Sequence, residues 1–143
     1  MLDALFCLTD PGDEVLLTDP TYAGMLNRVR LVGAVPRLIP LQVADGAWRL
    51  DLDALAAAVT ERTRVVVLNN ASFPSGWVAT EEEWEAVASI CRGRDTWLLY
   101  WAGFEGTASP RSRGPTCSGT ASAAAWLRQC SPSATERSGS GPR

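Results

Sequence analysis

Strand-like and helix-like segments alternate four times between residues 2 and 101, and this alternation constrains the fold more than any other feature of the sequence. Short apolar runs at 15–17, 35–41, 64–68 and 97–101 are typical of buried strands. Segments with apolar residues at helical spacing lie at 2–8, 21–31, 52–59 and 80–92. Such alternation is typical of layered α/β domains. The sequence therefore predicts a mostly parallel sheet of about four strands flanked by helices.

Three local signals refine this prediction. Pro36 and Pro40 lack a backbone N–H, so we expect the second strand to lie at an edge or to pair poorly. Thr80 followed by Glu83 forms a capping-box pattern, which predicts that a helix begins there and continues to residue 92. The continuous apolar run at 64–68 indicates a strand that is covered on both faces.

The composition changes after Gly106. Residues 1–106 contain 15 acidic and 8 basic residues, whereas residues 107–143 contain one acidic residue and 5 arginines among many Ser, Gly, Pro, Ala and Thr. We therefore expect a globular domain over 1–106 and a disordered, low-complexity basic tail over 107–143. A shifted reading frame or a gene-model error would produce the same change. The five arginines do not cluster, so nucleic-acid binding is not expected.

Cysteine spacing and apolar run length exclude other classes. The four cysteines have no C-x-x-C spacing and the chain has no histidine, so we expect unpaired or buried thiols and no metal site. No run approaches the roughly 18 apolar residues of a membrane span, and Asp3 and Asp10 interrupt any leader pattern. The sequence therefore predicts a cytoplasmic protein that does not enter a membrane.

Several segments resemble the class I/II aminotransferases, the fold type I enzymes that use pyridoxal 5′-phosphate. The resemblance is carried by Asp10–Tyr22, Gly33–Pro36, Asp51–Asp53 and Val67–Gly76, and it continues through the segment at 80–101. These segments follow one another in a single register over about 95 residues. The resemblance implies that residues 1–106 are part of the three-layer large domain that holds the cofactor in that family.

The resemblance assigns cofactor-binding positions to Tyr22 and Asn69. Tyr22 lies where the family places an aromatic side chain against the cofactor ring, although a core tyrosine at a helix start explains it equally well. Asn69 matches the asparagine-rich loop that ends at Pro74. The family's second asparagine, which donates to the phenolic oxygen of the cofactor, is replaced by Phe73, which cannot donate a hydrogen bond.

Two further positions depart from the family pattern. The family has an aspartate at the end of the fourth strand, which pairs with the pyridine nitrogen, whereas this chain has Trp101. An indole donates a hydrogen bond but cannot accept one. Phe104 replaces an expected tyrosine, and Glu105, the nearby carboxylate, would need a shifted register. We therefore assign no catalytic residue in this chain.

All 13 basic residues are arginines, so the chain contains no lysine to form a Schiff base with the cofactor aldehyde. We expect a truncated, diverged relative that does not bind the cofactor covalently and is inactive alone; the alternative is a non-catalytic α/β binding module. For the parent enzyme, the resemblance implies a homodimer that acts on amino acids and 2-oxo acids. It also implies that the strand at 65–68 is the open edge of this part of the sheet. A third possibility is that the parent group itself lost the chemistry.

Overall fold

The computed structural model describes residues 1–101, Gly103 and residues 126–128. These residues form four helices: α1 (Leu2–Leu8), α2 (Ala23–Leu31), α3 (Leu52–Ala58) and α4 (Glu81–Gly93). They also form six strands: β1 (Glu14–Asp19), β2 (Val35–Ala44), β3 (Ala47–Leu50), β4 (Thr63–Asn69), β5 (Trp97–Trp101) and β6 (Trp126–Arg128).

The strands form one sheet in the order β3-β2-β1-β4-β5-β6. β1 pairs in parallel with β2 and with β4, and β4 pairs in parallel with β5. β3 and β6 add antiparallel strands at the two ends. The predicted α/β class with a mostly parallel sheet is therefore confirmed.

Helices cover both faces of the sheet. Successive residues of each strand point to opposite faces, so the apolar side chains of the sheet form two separate layers under the helices. On one face, α1 and α2 pack against the sheet; this layer is built from Leu5, Val15, Leu17, Met25, Val29, Val65, Val67 and Leu99. On the other face, α3 and α4 pack; this layer is built from Leu16, Ile39, Leu55, Val66, Leu68, Val87, Cys91 and Leu98. The result is a three-layer arrangement, and the strand at 64–68 is covered on both faces as predicted.

The helix predicted from the capping box begins where expected. The Thr80 hydroxyl accepts from the Glu83 N–H at 3.2 Å, and the Glu83 carboxylate accepts from the Thr80 N–H at 2.8 Å. The other carboxylate oxygen of Glu83 accepts from the Leu50 N–H at 2.8 Å. One side chain therefore caps α4 and ties it to β3.

β3, the second strand of the hairpin that begins with β2, is an element that the sequence prediction missed. Asp45 and Gly46 both have positive φ, 52° and 73°, as a two-residue type I′ turn requires. β2 continues beyond the predicted end at 41 to Ala44 and pairs with β3 across this turn. Ala47–Leu50 is too short to be recognised as a strand without its partner.

The prediction that residues 65–68 form the open edge is wrong. β4 lies between β1 and β5, so both of its sides are hydrogen-bonded. β5 extends the sheet beyond β4, and β6, which was not predicted either, pairs with β5.

Apart from residues 126–128, the predicted tail lies outside the described residues, and the boundary at residue 106 stays a prediction.

The prolines of β2 lie in the half of the strand that is paired on one side only. Residues 35–40 pair with β1, whereas β3 pairs only with residues 41–44. The Val35 N–H donates to the Asp13 carbonyl at 2.8 Å, on the β1 side. Because backbone nitrogens alternate in direction along a strand, those of residues 36, 38 and 40 face away from β1, where the two prolines need no hydrogen-bond acceptor. β2 lies between β3 and β1 in the strand order, so it is not an edge strand of the sheet as expected; only its residues 35–40, which contain both prolines, are paired on one side.

The winding of the chain creates a crevice at the carboxyl end of the sheet. The connection after β1 contains α2 on one face, whereas the connection after β4 contains α4 on the other face. Open α/β sheets bind ligands where neighbouring strands send their connections to opposite faces. The carboxyl ends of β1 and β4 are therefore the place to look for a site.

Candidate functional site

A cleft of about 400 Å³ lies at this point, and five side chains line it: Tyr22, Arg28, Asn69, Phe73 and Trp101. Asn69 and Trp101 are the last residues of β4 and β5 and are paired in register. Tyr22 comes shortly after β1 and directly precedes α2. The cleft is thus built at the carboxyl ends of three neighbouring parallel strands.

Asn69 and Trp101 lie on the face of the sheet that α2 covers, because side chains alternate between the two faces along a strand. Val65 and Val67 belong to the layer under α1 and α2, so Asn69, two residues further on, lies on that face as well. The same reasoning applies to Leu99 and Trp101, and Trp101 packs against this layer. Asn69 is only 5% exposed, and among the residues that the structure describes its Oδ1 has no hydrogen-bond partner. A buried amide oxygen without a donor costs free energy, so this atom is an acceptor in need of a partner.

Three aromatic rings form one wall of the cleft, with Tyr22 between the other two. The Tyr22 ring centre lies 6.0 Å from that of Phe73 in an edge-to-face arrangement, and 6.3 Å from that of Trp101 at a tilt of 47°. The ring rests on Gly24, where an added Cβ would overlap it. Tyr22 is 40% exposed. The interpretation of Tyr22 as a core tyrosine is therefore wrong.

Arg28 supplies the cationic group of the cleft, and the sequence analysis did not identify it. Its Nη1 donates to the Gly24 carbonyl at 2.9 Å. Within the described residues, no carboxylate lies within ion-pairing distance of this guanidinium. The start of α2, with its partial positive charge, lies beside the same cleft. The available signal was the four-residue spacing from Gly24, which puts both residues on one side of α2.

The charged cluster at the opposite end of β1 has a structural role. Glu14 is buried, and its carboxylate accepts from the Thr60 hydroxyl at 2.6 Å and from Arg62 at 3.1 Å. Arg37 lies 3.7 Å from the same carboxylate. The Thr60 hydrogen bond, followed by the two guanidinium charges, lowers the pKa of Glu14 below its ordinary value of 4.5, although desolvation opposes the shift. This carboxylate holds the amino ends of three strands together and has no unused acceptor for a ligand.

The structure brings four of the six singled-out positions to one cleft. Tyr22, Asn69, Phe73 and Trp101 line it, whereas Phe104 and Glu105 lie outside the described residues. No group of three or more metal-ligating side chains occurs among the residues that the structure describes, where Cys7 is exposed and unpaired and Cys91 is buried. In the same part of the chain, no helix is long and apolar enough to cross a membrane.

Comparison with known proteins places these residues in a family context. A family model described as aminotransferase class I and II matches residues 2–113. The arginine–pyruvate transaminase of Pseudomonas aeruginosa is 35% identical over 94 residues, which are 65% of this chain and 23% of that protein. The chain therefore spans about a quarter of the length of this curated relative.

Two solved structures are similar to the fold. N-succinyldiaminopimelate aminotransferase from Mycobacterium tuberculosis matches 76% of this chain and 32% of its own, with a TM-score of 0.67 and 31% identity. The C–S lyase from Staphylococcus hominis, solved with pyridoxal phosphate bound, matches 68% of this chain and 26% of its own, with a TM-score of 0.65 and 24% identity. The second likeness concerns the fold alone.

Proposed function

The chain belongs to the class I and II aminotransferases, and from this premise we propose that it is a partial, diverged relative that does not transfer amino groups on its own. Pyridoxal 5′-phosphate is the cofactor of the parent family, and amino acids and 2-oxo acids are its substrates. The proposal concerns these 143 residues by themselves. It is carried by a single observation, the indole of Trp101 at the end of β5.

The side chains of the cleft do not fit the electronic demands of that cofactor. Its ring accepts electrons well only when the pyridine nitrogen keeps its proton, which a neighbouring carboxylate ensures. Trp101 occupies the position that the family resemblance gives to this carboxylate. An indole N–H can only donate, so it favours an unprotonated ring nitrogen. The described residues that line the cleft include no carboxylate.

Two further features support the proposal. Phe73 occupies the place of a hydrogen-bond donor to the cofactor's phenolic oxygen and offers only a ring. None of the 143 residues is a lysine, so the chain alone has no side-chain amine to bond to the cofactor aldehyde. Tyr22 and Asn69 still offer a stacking surface and an amide.

A transamination assay tests this proposal. The purified chain is incubated with pyridoxal 5′-phosphate, an amino acid and a 2-oxo acid, and exchange of the amino group is followed by chromatography. We expect no exchange beyond that produced by free cofactor. The variant Trp101→Asp should be equally inactive, because it restores the carboxylate without supplying an amine. Exchange above the level of free cofactor by the unaltered chain would contradict the proposal.

The alternative function, a non-catalytic binding module, is favoured by the cleft itself. Among the described residues, the Arg28 guanidinium has no carboxylate partner and the buried Oδ1 of Asn69 has no donor. The rings of Tyr22, Phe73 and Trp101 line the same cleft. Sedimentation and thermal unfolding test this alternative: a module should be a cooperatively folding monomer or dimer, whereas an aggregating chain without a cooperative transition would contradict it. Cytoplasmic location, homodimer formation by the parent and the frame-shifted origin of the tail stay predictions.

A further inference from the structure

We propose that Asp45 is a site of spontaneous backbone modification, at which the Gly46 amide and water convert the aspartate to isoaspartate. This inference concerns the tip of the hairpin formed by β2 and β3, and it does not depend on the proposed function. Asp45 is the only aspartate or asparagine of the chain that is followed by glycine. The reaction closes a five-membered ring between the aspartate side chain and the next backbone nitrogen. A side chain on the next residue hinders this closure, and glycine has none.

The reaction has two balanced steps. In the first, the Gly46 nitrogen attacks Cγ of the protonated Asp45 carboxyl group; the N–Cγ bond forms, the C–OH bond breaks, and the hydroxyl leaves as water with the amide proton. In the second, one water molecule opens the resulting succinimide ring. Attack at Cγ returns aspartate, whereas attack at the main-chain carbonyl carbon breaks its bond to the Gly46 nitrogen and leaves the backbone running through Cβ and Cγ. The sum is an isomerisation that consumes no oxidant, reductant or cofactor.

The tip of the hairpin leaves both reacting groups accessible. Asp45 and Gly46 are exposed, and a Cβ added to Gly46 would have nothing within 4 Å. Within the part of the chain that the structure describes, the Asp45 carboxylate makes no hydrogen bond or ion pair. Among the same residues, the Gly46 N–H donates to no other backbone group. Neither group therefore has to give up a partner before the ring closes.

The geometry of the turn explains why glycine follows the aspartate. Both residues have positive φ, and a two-residue type I′ turn favours the pair Asp-Gly for this reason. Gly46 thus meets a requirement of the backbone. The reactivity of Asp45 is a by-product of that requirement.

Asp95 provides an internal comparison. It is also exposed and has a positive φ of 51°. The next residue, Thr96, is β-branched and only 3% exposed, and its N–H donates to the Cys91 carbonyl at 3.1 Å. Ring closure at Asp95 would have to break this hydrogen bond and move a buried side chain. The fold therefore protects Asp95 and leaves Asp45 unprotected.

Isoaspartate loosens the hairpin. It adds one carbon atom to the backbone of the turn, and the geometry of a two-residue turn fixes the register of the strands that it joins. Ala44 pairs with Ala47 directly beside the turn. β3 continues to Leu50, whose N–H donates to Glu83 at the start of α4. The modification should therefore lower the melting temperature.

Incorporation of heavy oxygen tests the inference on the complete chain. The chain is kept for several weeks at mildly acidic pH and body temperature in water enriched in oxygen-18, and is then digested with trypsin in ordinary water. Cleavage after Arg37 and Arg49 gives a peptide of residues 38–49, in which Asp45 is the only acidic residue. We expect part of this peptide to carry one heavy oxygen and to elute separately as the isoaspartate form. Absence of the isoaspartate form would overturn the inference.

Free peptides separate the effect of the fold from that of the sequence. Synthetic peptides of residues 38–49 and 92–97 are labelled under the same conditions. In the complete chain, Asp45 should be labelled at a rate within threefold of its free peptide, whereas Asp95 should be labelled at least tenfold more slowly than its own. Tenfold or greater slowing at Asp45 would show that the turn protects it and would overturn the inference.

Asp45→Glu is the matched variant for the effect on the hairpin. It keeps the negative charge, but it would have to close a six-membered ring, which forms far more slowly. Each stored chain is compared with its own fresh sample, so a different initial stability of the variant does not affect the result. The melting temperature of the unaltered chain should fall on storage and that of Asp45→Glu should not. Equal falls in both chains would refute the loosening of the hairpin by this modification.

Discussion

Asn69 and Asn70 are adjacent residues in opposite situations. Asn70 Oδ1 accepts from the Ala79 N–H at 3.1 Å, whereas Asn69 Oδ1 is buried and finds no donor in the described part of the chain. Removing a satisfied buried hydrogen bond costs free energy, but replacing an unsatisfied group by an apolar one of similar shape is close to neutral. The two side chains therefore differ in what they contribute to stability although their chemistry is the same.

We expect Asn69→Leu to leave the free energy of unfolding unchanged or to raise it by up to about 1 kcal/mol. Asn70→Leu should lower it by about 1–3 kcal/mol, because the Ala79 N–H then loses its acceptor. Urea unfolding of the two variants measures both effects. If Asn69→Leu proves as destabilising as Asn70→Leu, the amide of Asn69 has a structural partner and is not poised for a ligand.

Gly24 determines the position of the Tyr22 ring. An added Cβ would overlap that ring and approach Arg28 Nη1 to 3.0 Å, so Gly24→Ala must displace both cleft residues. Gly93, near the end of α4, has nothing within 4 Å of an added Cβ. Alanine normally stabilises a helix by up to about 1 kcal/mol over glycine. Gly93→Ala should therefore raise the melting temperature, whereas Gly24→Ala should not. An equal rise in the melting temperature for Gly24→Ala would show that the Tyr22 ring does not need this clearance.

At the scale of the elements, Glu14 links the amino ends of β1, β2 and β4 through Arg37, Arg62 and Thr60. Its pKa is lowered in the folded chain, chiefly by the Thr60 hydroxyl and then by the two guanidinium groups. A carboxylate with a lowered folded pKa stabilises the fold fully above its unfolded pKa, and this contribution is lost as the pH falls through the folded value. The relevant window therefore lies below the ordinary value of 4.5.

We expect Glu14→Gln to be less stable than the parent chain at pH 7, with the difference shrinking as the pH falls below about 4.5. Glu61→Gln is the control, since Glu61 is exposed in the turn before β4. Thermal unfolding between pH 3 and pH 7 gives both profiles. A constant difference between Glu14→Gln and the parent chain across this range would contradict the linkage.

The elements that the sequence predicted correctly are those with local signals. β1, β4 and β5 have continuous apolar runs, β2 has alternating apolar residues, and α4 has its capping box, so none of these elements needs information from distant residues. β3 and β6 are short and become strands only through their partners β2 and β5. The wrong edge assignment for residues 65–68 has the same origin, because strand order is a property of the whole sheet.

The residues of the candidate site also divide into those that the sequence could identify and one that it could not. Tyr22, Asn69, Phe73 and Trp101 could be singled out by aligning motifs, since each belongs to a quoted segment. Arg28 could not, because its relevance depends on how α2 packs beside the ends of β4 and β5. The exposed fraction of the Tyr22 side chain showed that it is not a core residue, and no local sequence pattern predicts the exposure of a side chain at the start of a helix.

At the scale of the whole molecule, the contribution of β6 can be measured by shortening the chain. β6 pairs with β5 through residues 98–100, and a chain that ends at Gly106 would leave that edge of β5 unpaired. An exposed apolar edge favours association with other chains. We expect the chain ending at residue 106 to associate at concentrations where the chain ending at residue 130, which keeps β6, does not. Light scattering after gel filtration makes the comparison, and identical behaviour would show that β6 does not protect this edge.

The opposite border of the sheet is protected by different means. Along residues 35–40 of β2, three backbone positions face outward, and prolines occupy two of them, so only Leu38 retains an N–H there. An incoming strand would find a single donor where a continuous ladder needs one at every second residue. Addition of another strand along residues 35–40 is therefore disfavoured by the covalent structure of the chain itself.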